Sequence, residues 1–212
     1  LASPLPVLYK GSIKAYIEDM KEAEVLGIEY LVTHMGSHKK TGEEKGIKRF
    51  TSALNKILER TRKSPVHILL ENTSGAGSWL GYKFEHQRQI IDGIEQEHRI
   101  GICVDTCHSY SAGYDLAHPE GYEETIRQID EIVGLKRLKL IHLNDSKDKM
   151  GSHRDRHEHI GKGQIGFEAF RRILNDARLK DTAFILETPK DTEDSDRINL
   201  ETVRKLCRAR KG

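Results

Sequence analysis

At 212 residues and 24.2 kDa the chain is long enough for one domain with a sizeable core, and residues 1–212 are read as a single unit. Its 36% hydrophobic and 32% charged residues describe a polar globular protein; no apolar run approaches the ~20 residues that span a bilayer, and no signal-peptide pattern opens the sequence. A net charge of +2 neither requires nor opposes a polyanionic partner, and three cysteines without framework spacing (Cys103, Cys107, Cys207) fit reduced thiols in a cytoplasmic setting.

Helical spacing of Ile13, Tyr16, Ile17, Met20, Ala23 and Leu26 predicts an amphipathic helix over 12–27, capped by Ser12 and ended by Gly27. A strand follows over 28–33 and finishes at His34. A helix over 47–63 is broken by Pro65, and a strand over 66–70 ends at Glu71. The loop SGAGSWLGYKFEH carries glycines for unusual backbone angles and the aromatics Trp79, Tyr82 and Phe84. A helix over 87–97 precedes a strand over 100–104, which turns into a loop at Asp105-Thr106-Cys107-His108. Further elements are a helix over 122–133, a strand over 138–143 containing His142, a helix over 167–176, a strand over 183–186 ending at Glu187, and a basic helix over 199–210. The alternation of short apolar strands with helices predicts an α/β fold with a parallel sheet.

Chemistry in such folds gathers at the carboxyl ends of the strands. Each of about five strands ends in, or carries near its end, a potential metal ligand: His34, Glu71, Asp105, His142 and Glu187. The loop after His142 adds Asp145, Asp148, His153, Asp155, His157 and His159, so four of the 11 histidines fall within fewer than 20 residues. Imidazole and carboxylate are the ligands zinc and its borderline neighbours favour.

Taken singly, these residues have ordinary explanations. A histidine at a strand end is more often a satisfied core residue, a glutamate there can cap a following helix, and a histidine-rich loop is often only solvated. Cys107 reads as a small buried residue and not a ligand. As a set the ordinary explanation fails, because scattered residues would not mark every strand end. The set exceeds what one tetrahedral ion can use, so two or three ions are implied, with Glu71 suited to bridge two of them. Two-metal sites with ions ~3.5–4 Å apart activate water and stabilise both oxygens of a phosphoryl displacement.

The blocks LVTHMGSH, LLENTSGAGSWLGYKFEH, GICVDTCHSYSAGYDL, LIHLNDSK, GSHRDRHEHIGKGQIG and ILETP resemble, in order and over nearly the whole chain, those of endonuclease IV, the zinc-dependent apurinic/apyrimidinic endonuclease family. The resemblance implies a TIM (β/α)8-type barrel that uses three zinc ions to cut double-stranded DNA 5′ to an abasic site in base-excision repair. It implies that Glu71 bridges the first two ions, with His34 on the first. Asp105, His142 and Glu187 complete the second, and His108, Asp155 and His157 hold the third. Glu71 and Glu187 are the expected catalytic carboxylates, and Arg156 and Lys83 the expected contacts to DNA phosphates. No obligate protein partner is evident.

The start of the chain departs from the family pattern. Leu1 falls where the family's third strand would end, so the expectation is a fragment holding about the last five βα units, with eight of nine protein ligands. Two sheet edges would then be unpaired, which predicts instability, association or swapping. Two other functions compete. One is a metal-dependent sugar isomerase or epimerase on a similar barrel, which would need fewer ligands. The other is a fragment that binds zinc and DNA without cutting.

Overall fold

The computed structural model describes residues 1–207. Five parallel strands form its sheet in the order β1-β2-β3-β4-β7: β1 (Tyr30–His34), β2 (His67–Glu71), β3 (Ile100–Asp105), β4 (Leu138–His142) and β7 (Ala183–Ile185). The remaining strands, β5 (Asp145–Ser146) and β6 (His157–Glu158), make a two-stranded antiparallel ribbon after β4. Among the described residues no helix is long and apolar enough to cross a membrane. The expected α/β architecture with about five strands is present.

Helix α1 (Pro6–Val25) begins six residues before the expected start at 12, because Pro6 presets the first helical φ and lacks only an amide that would go unbonded there. Helix α2 (Glu43–Arg60) also starts early, with Glu43 and Glu44 favourably placed in its first turn; it ends at Arg60, well short of Pro65. Helix α3 (Phe84–Asp92) begins three residues before its predicted span of 87–97 and ends five residues before that span does, and a 3-10 turn at Glu97–Arg99 follows. The segment after Asp105 is a short helix, α4 (Thr106–Ala112), not the loop expected there. The later helices are α5 (Pro119–Ile132), α6 (Phe167–Leu174) and α7 (Ser195–Leu206); positions 208–210 of the expected terminal helix lie outside the described residues.

Alternation along the strands divides the side chains between two faces. Ile68, Leu70, Ile102, Val104 and Ile141 join the main core with Phe50, Leu54, Ile57, Ile90, Ile126 and Phe170 of the helices. The opposite face carries a smaller cluster of Leu69, Cys103 and Leu140, with Tyr30 and Val32 packed against it. Glu71, Asp105, His142 and His34 each lie two residues beyond a member of that smaller cluster and therefore rise from the same face. Register sets them in two steps: His34 pairs with Glu71 and Asp105 with His142, while Glu71 stands opposite Cys103, two residues before Asp105. The central strands are buried, while β1 and β7 are the sheet edges, and Ile185 on β7 is 49% exposed.

Candidate metal centre

Glu71 stands at the middle of the strand ends, almost fully buried. Its Oε1 lies 2.8 Å from His142 Nδ1 and 3.6 Å from His108 Nδ1, and its Oε2 lies 3.5 Å from His34 Nε2. The two oxygens thus face different imidazoles. Glu187, just beyond the last residue of β7, brings its Oε2 within 3.2 Å of the same His142 Nδ1, although its side chain is 46% exposed. Donor atoms from Glu71, Asp105, His142 and Glu187 all fall within 4.8 Å of one another.

A second group adjoins the first. Asp105 caps α4 by accepting the amide of His108 at 2.7 Å, which sets His108 beside it at the i, i+3 spacing of a first helical turn. His108 Nε2 is 3.1 Å from Asp155 Oδ1, and His157 Nε2 is 3.3 Å from that same oxygen. His108, Asp155 and His157 form the second set of donors within 4.8 Å. His157 also stands 3.7 Å from Asp105 Oδ2, so the groups touch. His34 joins neither set; it faces Glu71, with the His108 ring at 5.5 Å and Trp79 edge-on at 6.2 Å between ring centroids.

Proton affinities follow from this crowding of opposite charge. Burial lowers the His142 pKa, but hydrogen bonds to Cys103, Glu187 and Glu71 outweigh it and push it far up. Burial also opposes protonation of His108, yet Asp105 and Asp155 overcome it and raise this group to about 9. His157 rises to about 8 through Asp155 and Asp105 against the same opposing burial. Hydrogen bonds from His108 and His157 hold the Asp155 carboxyl far below its usual range, and that from His142 lowers Glu187. Protons on imidazoles balance the carboxylates where a cation would otherwise do so. His157 Nε2 is buried against two carboxylate oxygens, Asp155 Oδ1 at 3.3 Å and Asp105 Oδ2 at 3.7 Å. A metal ion held there would take the place of the imidazole proton.

Asn72 and Asn144, neither singled out in the sequence, hold this array. Asn72 Oδ1 accepts the Asp105 amide at 2.7 Å, and its Nδ2 donates to the Asp105 carbonyl and to Ser109 Oγ. Asn144 Nδ2 donates to Asp105 Oδ2 at 2.6 Å, while its Oδ1 accepts the Glu187 amide at 2.8 Å. Their signal was adjacency: each follows a strand-end ligand by one or two positions. Cys103 also lies within 4.8 Å of the donors of Glu71 and His142, and Cys107 of those of Asp105 and His157, but burial pushes their thiols up to about 11 and about 12, which disfavours the thiolate a metal needs.

The two expected phosphate contacts have partners of their own. Arg156 is engaged in a two-pronged pair with Asp148, Nε at 2.6 Å and Nη2 at 2.5 Å. Lys83 is exposed, with Nζ 5.0 Å from the centre of the Tyr82 ring. In the histidine-rich loop, His153 bonds the Ser74 carbonyl and His159 lies between Asp191 and Asn199.

Comparison with known proteins agrees with this architecture. A family model described as xylose isomerase-like TIM barrel matches residues 1–209. A probable endonuclease 4 from Chloroflexus aurantiacus is 46% identical over 207 residues, covering 97% of this chain and 73% of that protein. One from Methanoculleus marisnigri is 43% identical over 208 residues, covering 98% of this chain and 74% of that protein. The crystal structure of endonuclease IV from Thermus thermophilus superposes with a TM-score of 0.83 at 35% identity, over 97% of this chain and 71% of that one. A D-tagatose 3-epimerase-like protein matches with a TM-score of 0.70 at 20% identity, over 97% of this chain and 73% of that one, a likeness of fold alone. By sequence and by architecture alike, the chain belongs to the endonuclease IV family of xylose isomerase-like TIM barrels.

Proposed function

We propose that this chain is a zinc-dependent DNA-repair endonuclease that hydrolyses the phosphodiester 5′ to an abasic site in duplex DNA. The observation that carries the reading is the pair of adjoining donor groups, Glu71–Asp105–His142–Glu187 at the carboxyl ends of a parallel sheet and His108–Asp155–His157 beside it. Their donors are nitrogen and oxygen only, the set zinc accepts, and His157 Nε2 faces carboxylate oxygens of both Asp155 and Asp105. Each group would hold one ion, and His34 with Glu71 would offer two donors to a third. Bound zinc supplies Lewis acidity, which makes water nucleophilic near neutral pH and offsets charge on phosphate oxygens.

The protein's own residues arrange that chemistry. Glu71 is shared, because its two oxygens face different imidazoles. Glu187 is the most accessible carboxylate of its group, so it lies between the buried ligands and an incoming phosphate. Asn144 ties Asp105 to the Glu187 backbone and keeps the carboxyl ends of β3 and β7 in fixed relation. Arg156, oriented by Asp148, is a positive group on the loop that carries Asp155 and His157. The sugar isomerase alternative is less favoured, since a single-metal site leaves the His108–Asp155–His157 group without a purpose.

The test is nicking of a duplex bearing one synthetic abasic site by the chain supplied with zinc, beside a Glu187→Gln variant. Cutting 5′ to the lesion by the parent and not the variant is the expected result. Silence of the parent, even joined to the additional segment that its longer relatives carry, would overturn the endonuclease reading.

A further inference from the structure

The glycine-rich run Gly161-Lys162-Gly163-Gln164-Ile165-Gly166 has the look of a phosphate cradle, but its amides are already taken. Asp145, fully buried on β5, accepts the amides of Ser146 at 2.8 Å and Ile165 at 2.9 Å on Oδ1. On Oδ2 it accepts those of Gly161 and Gly163 at 3.0 Å each and of Gly166 at 3.4 Å. No cation pairs with this carboxylate among the described residues. Five backbone N–H dipoles solvate its charge in place of water, which is how an inward-facing nest of amides holds an anion.

The loop is built to close on that carboxylate. A Cβ at Gly163 would collide with the Ser146 carbonyl oxygen and stand only 2.5 Å from Asp145 Oδ1, so only glycine allows the approach. Gly161 has φ +79°, and a Cβ there would run into the Phe167 ring. The clamped side is joined to the donor groups by the ribbon. Ser146 pairs with His157 and Asp145 with Glu158, while the Lys147 amide donates to the Arg156 carbonyl at 3.0 Å. The Gln164 amide donates to the Ser146 carbonyl at 2.8 Å, so β5 is gripped from both sides. Two residue pairs alone would make a weak ribbon.

We infer that Asp145 is a positioning residue: by binding the amides of Gly161, Gly163, Ile165 and Gly166 it locks β5 and so fixes the β6 segment that presents Asp155 and His157. This rests on the proposal that those two residues hold zinc. It implies that the site divides in rigidity, since Glu71, Asp105 and His142 sit on the sheet while Asp155 and His157 depend on one buried carboxylate.

The experiment is zinc titration of the parent against a chromogenic chelator, repeated with Asp145→Asn and Gly163→Ala, and with amide hydrogen exchange on the parent. An asparagine keeps the shape but offers one acceptor oxygen and turns an NH₂ toward amides that need acceptors. Expected is a loss of about 10–100-fold in affinity for one class of zinc, with the other class unchanged, in both variants. A role in overall stability alone would not separate the classes. If both variants fold and keep both classes at parental affinity, the inference is overturned. If the parent has no zinc class that depends on His157, tested by His157→Ala, the metal reading fails instead. Hydrogen exchange then decides the clamp, as it also does if neither variant folds. The amides of Gly161, Gly163 and Ile165 should exchange as slowly as those of β4, and fast exchange in the parent overturns the clamp in any case.

Discussion

Glu71 and His142 meet at 2.8 Å although they lie on strands that do not touch, with β3 between them. Their contact crosses above the chain at Cys103, where the smaller cluster of the sheet ends and the polar layer begins. A side chain placed there is reached from both directions. Replacing Glu71 by glutamine keeps the size and removes the charge, so the expected loss in nicking rate is at least ~10²–10³-fold, the scale for one stabilising charge at a reacting centre. Chelator titration should show loosened zinc in the same variant. Parental rate and affinity in Glu71→Gln would show that the carboxylate is incidental.

Asn144 has no formal charge and is fully buried, yet it holds two ligand-bearing segments through bonds of 2.6 Å to Asp105 and 2.8 Å to the Glu187 amide. Asn144→Ala should weaken zinc about 10–100-fold. It should also cost roughly 1–3 kcal/mol of stability, because buried partners are left unsatisfied. Chemical denaturation of the metal-free protein, beside zinc titration, separates the two effects.

The pH dependence of the metal-free protein has a definite sign. An unfolded histidine titrates near ~6.5, whereas His157 and His108 titrate at about 8 and about 9 in the folded chain. The native state therefore binds more protons, so their stabilisation is complete below the unfolded value and is lost as pH rises through about 8 and then about 9. Melting temperature without zinc should fall across that window. Zinc must displace those protons, so its affinity should rise over the same range. A melting temperature that climbs with pH in the absence of metal would contradict the protonated imidazoles.

Arg156 and Asp148 give a charge test that leaves the donor groups intact. Arg156→Ala should weaken duplex binding and reduce the salt slope by about one. Asp148→Ala removes the competing carboxylate and should strengthen binding. Fluorescence anisotropy at several salt concentrations measures both, and equal behaviour of parent and Arg156→Ala would remove Arg156 from the DNA contacts.

Particular elements show what was legible beforehand. The strands around Glu71, Asp105 and His142 were readable because a buried parallel strand is a short, nearly unbroken apolar run, and the polar residue that ends it is conspicuous. Helix α4 was not readable. Its Thr106, Cys107, Ser109 and Ser111 are poor helix formers, and what starts it is the Asp105 cap, a bond visible only when the amide of His108 is in place. The early start of α1 was written in Pro6 but outweighed by the apolar pattern that begins at Ile13.

Composition and spacing by themselves determined that the protein is an α/β chain with polar residues at its strand ends, and the ordered motif blocks determined its family. Local sequence carries this because propensity, apolar runs and motifs are short-range properties. Tertiary structure decided the grouping: that Glu187 reaches the same nitrogen as Glu71, that His34 faces Glu71 from outside both donor groups, that Arg156 is already paired, and that Asp145, one acid among many in a polar loop, is fully buried. Those relations join residues far apart in the chain or depend on which way a loop folds. Their energies come from desolvation and hydrogen bonding that exist only once the strands are in register and water has left.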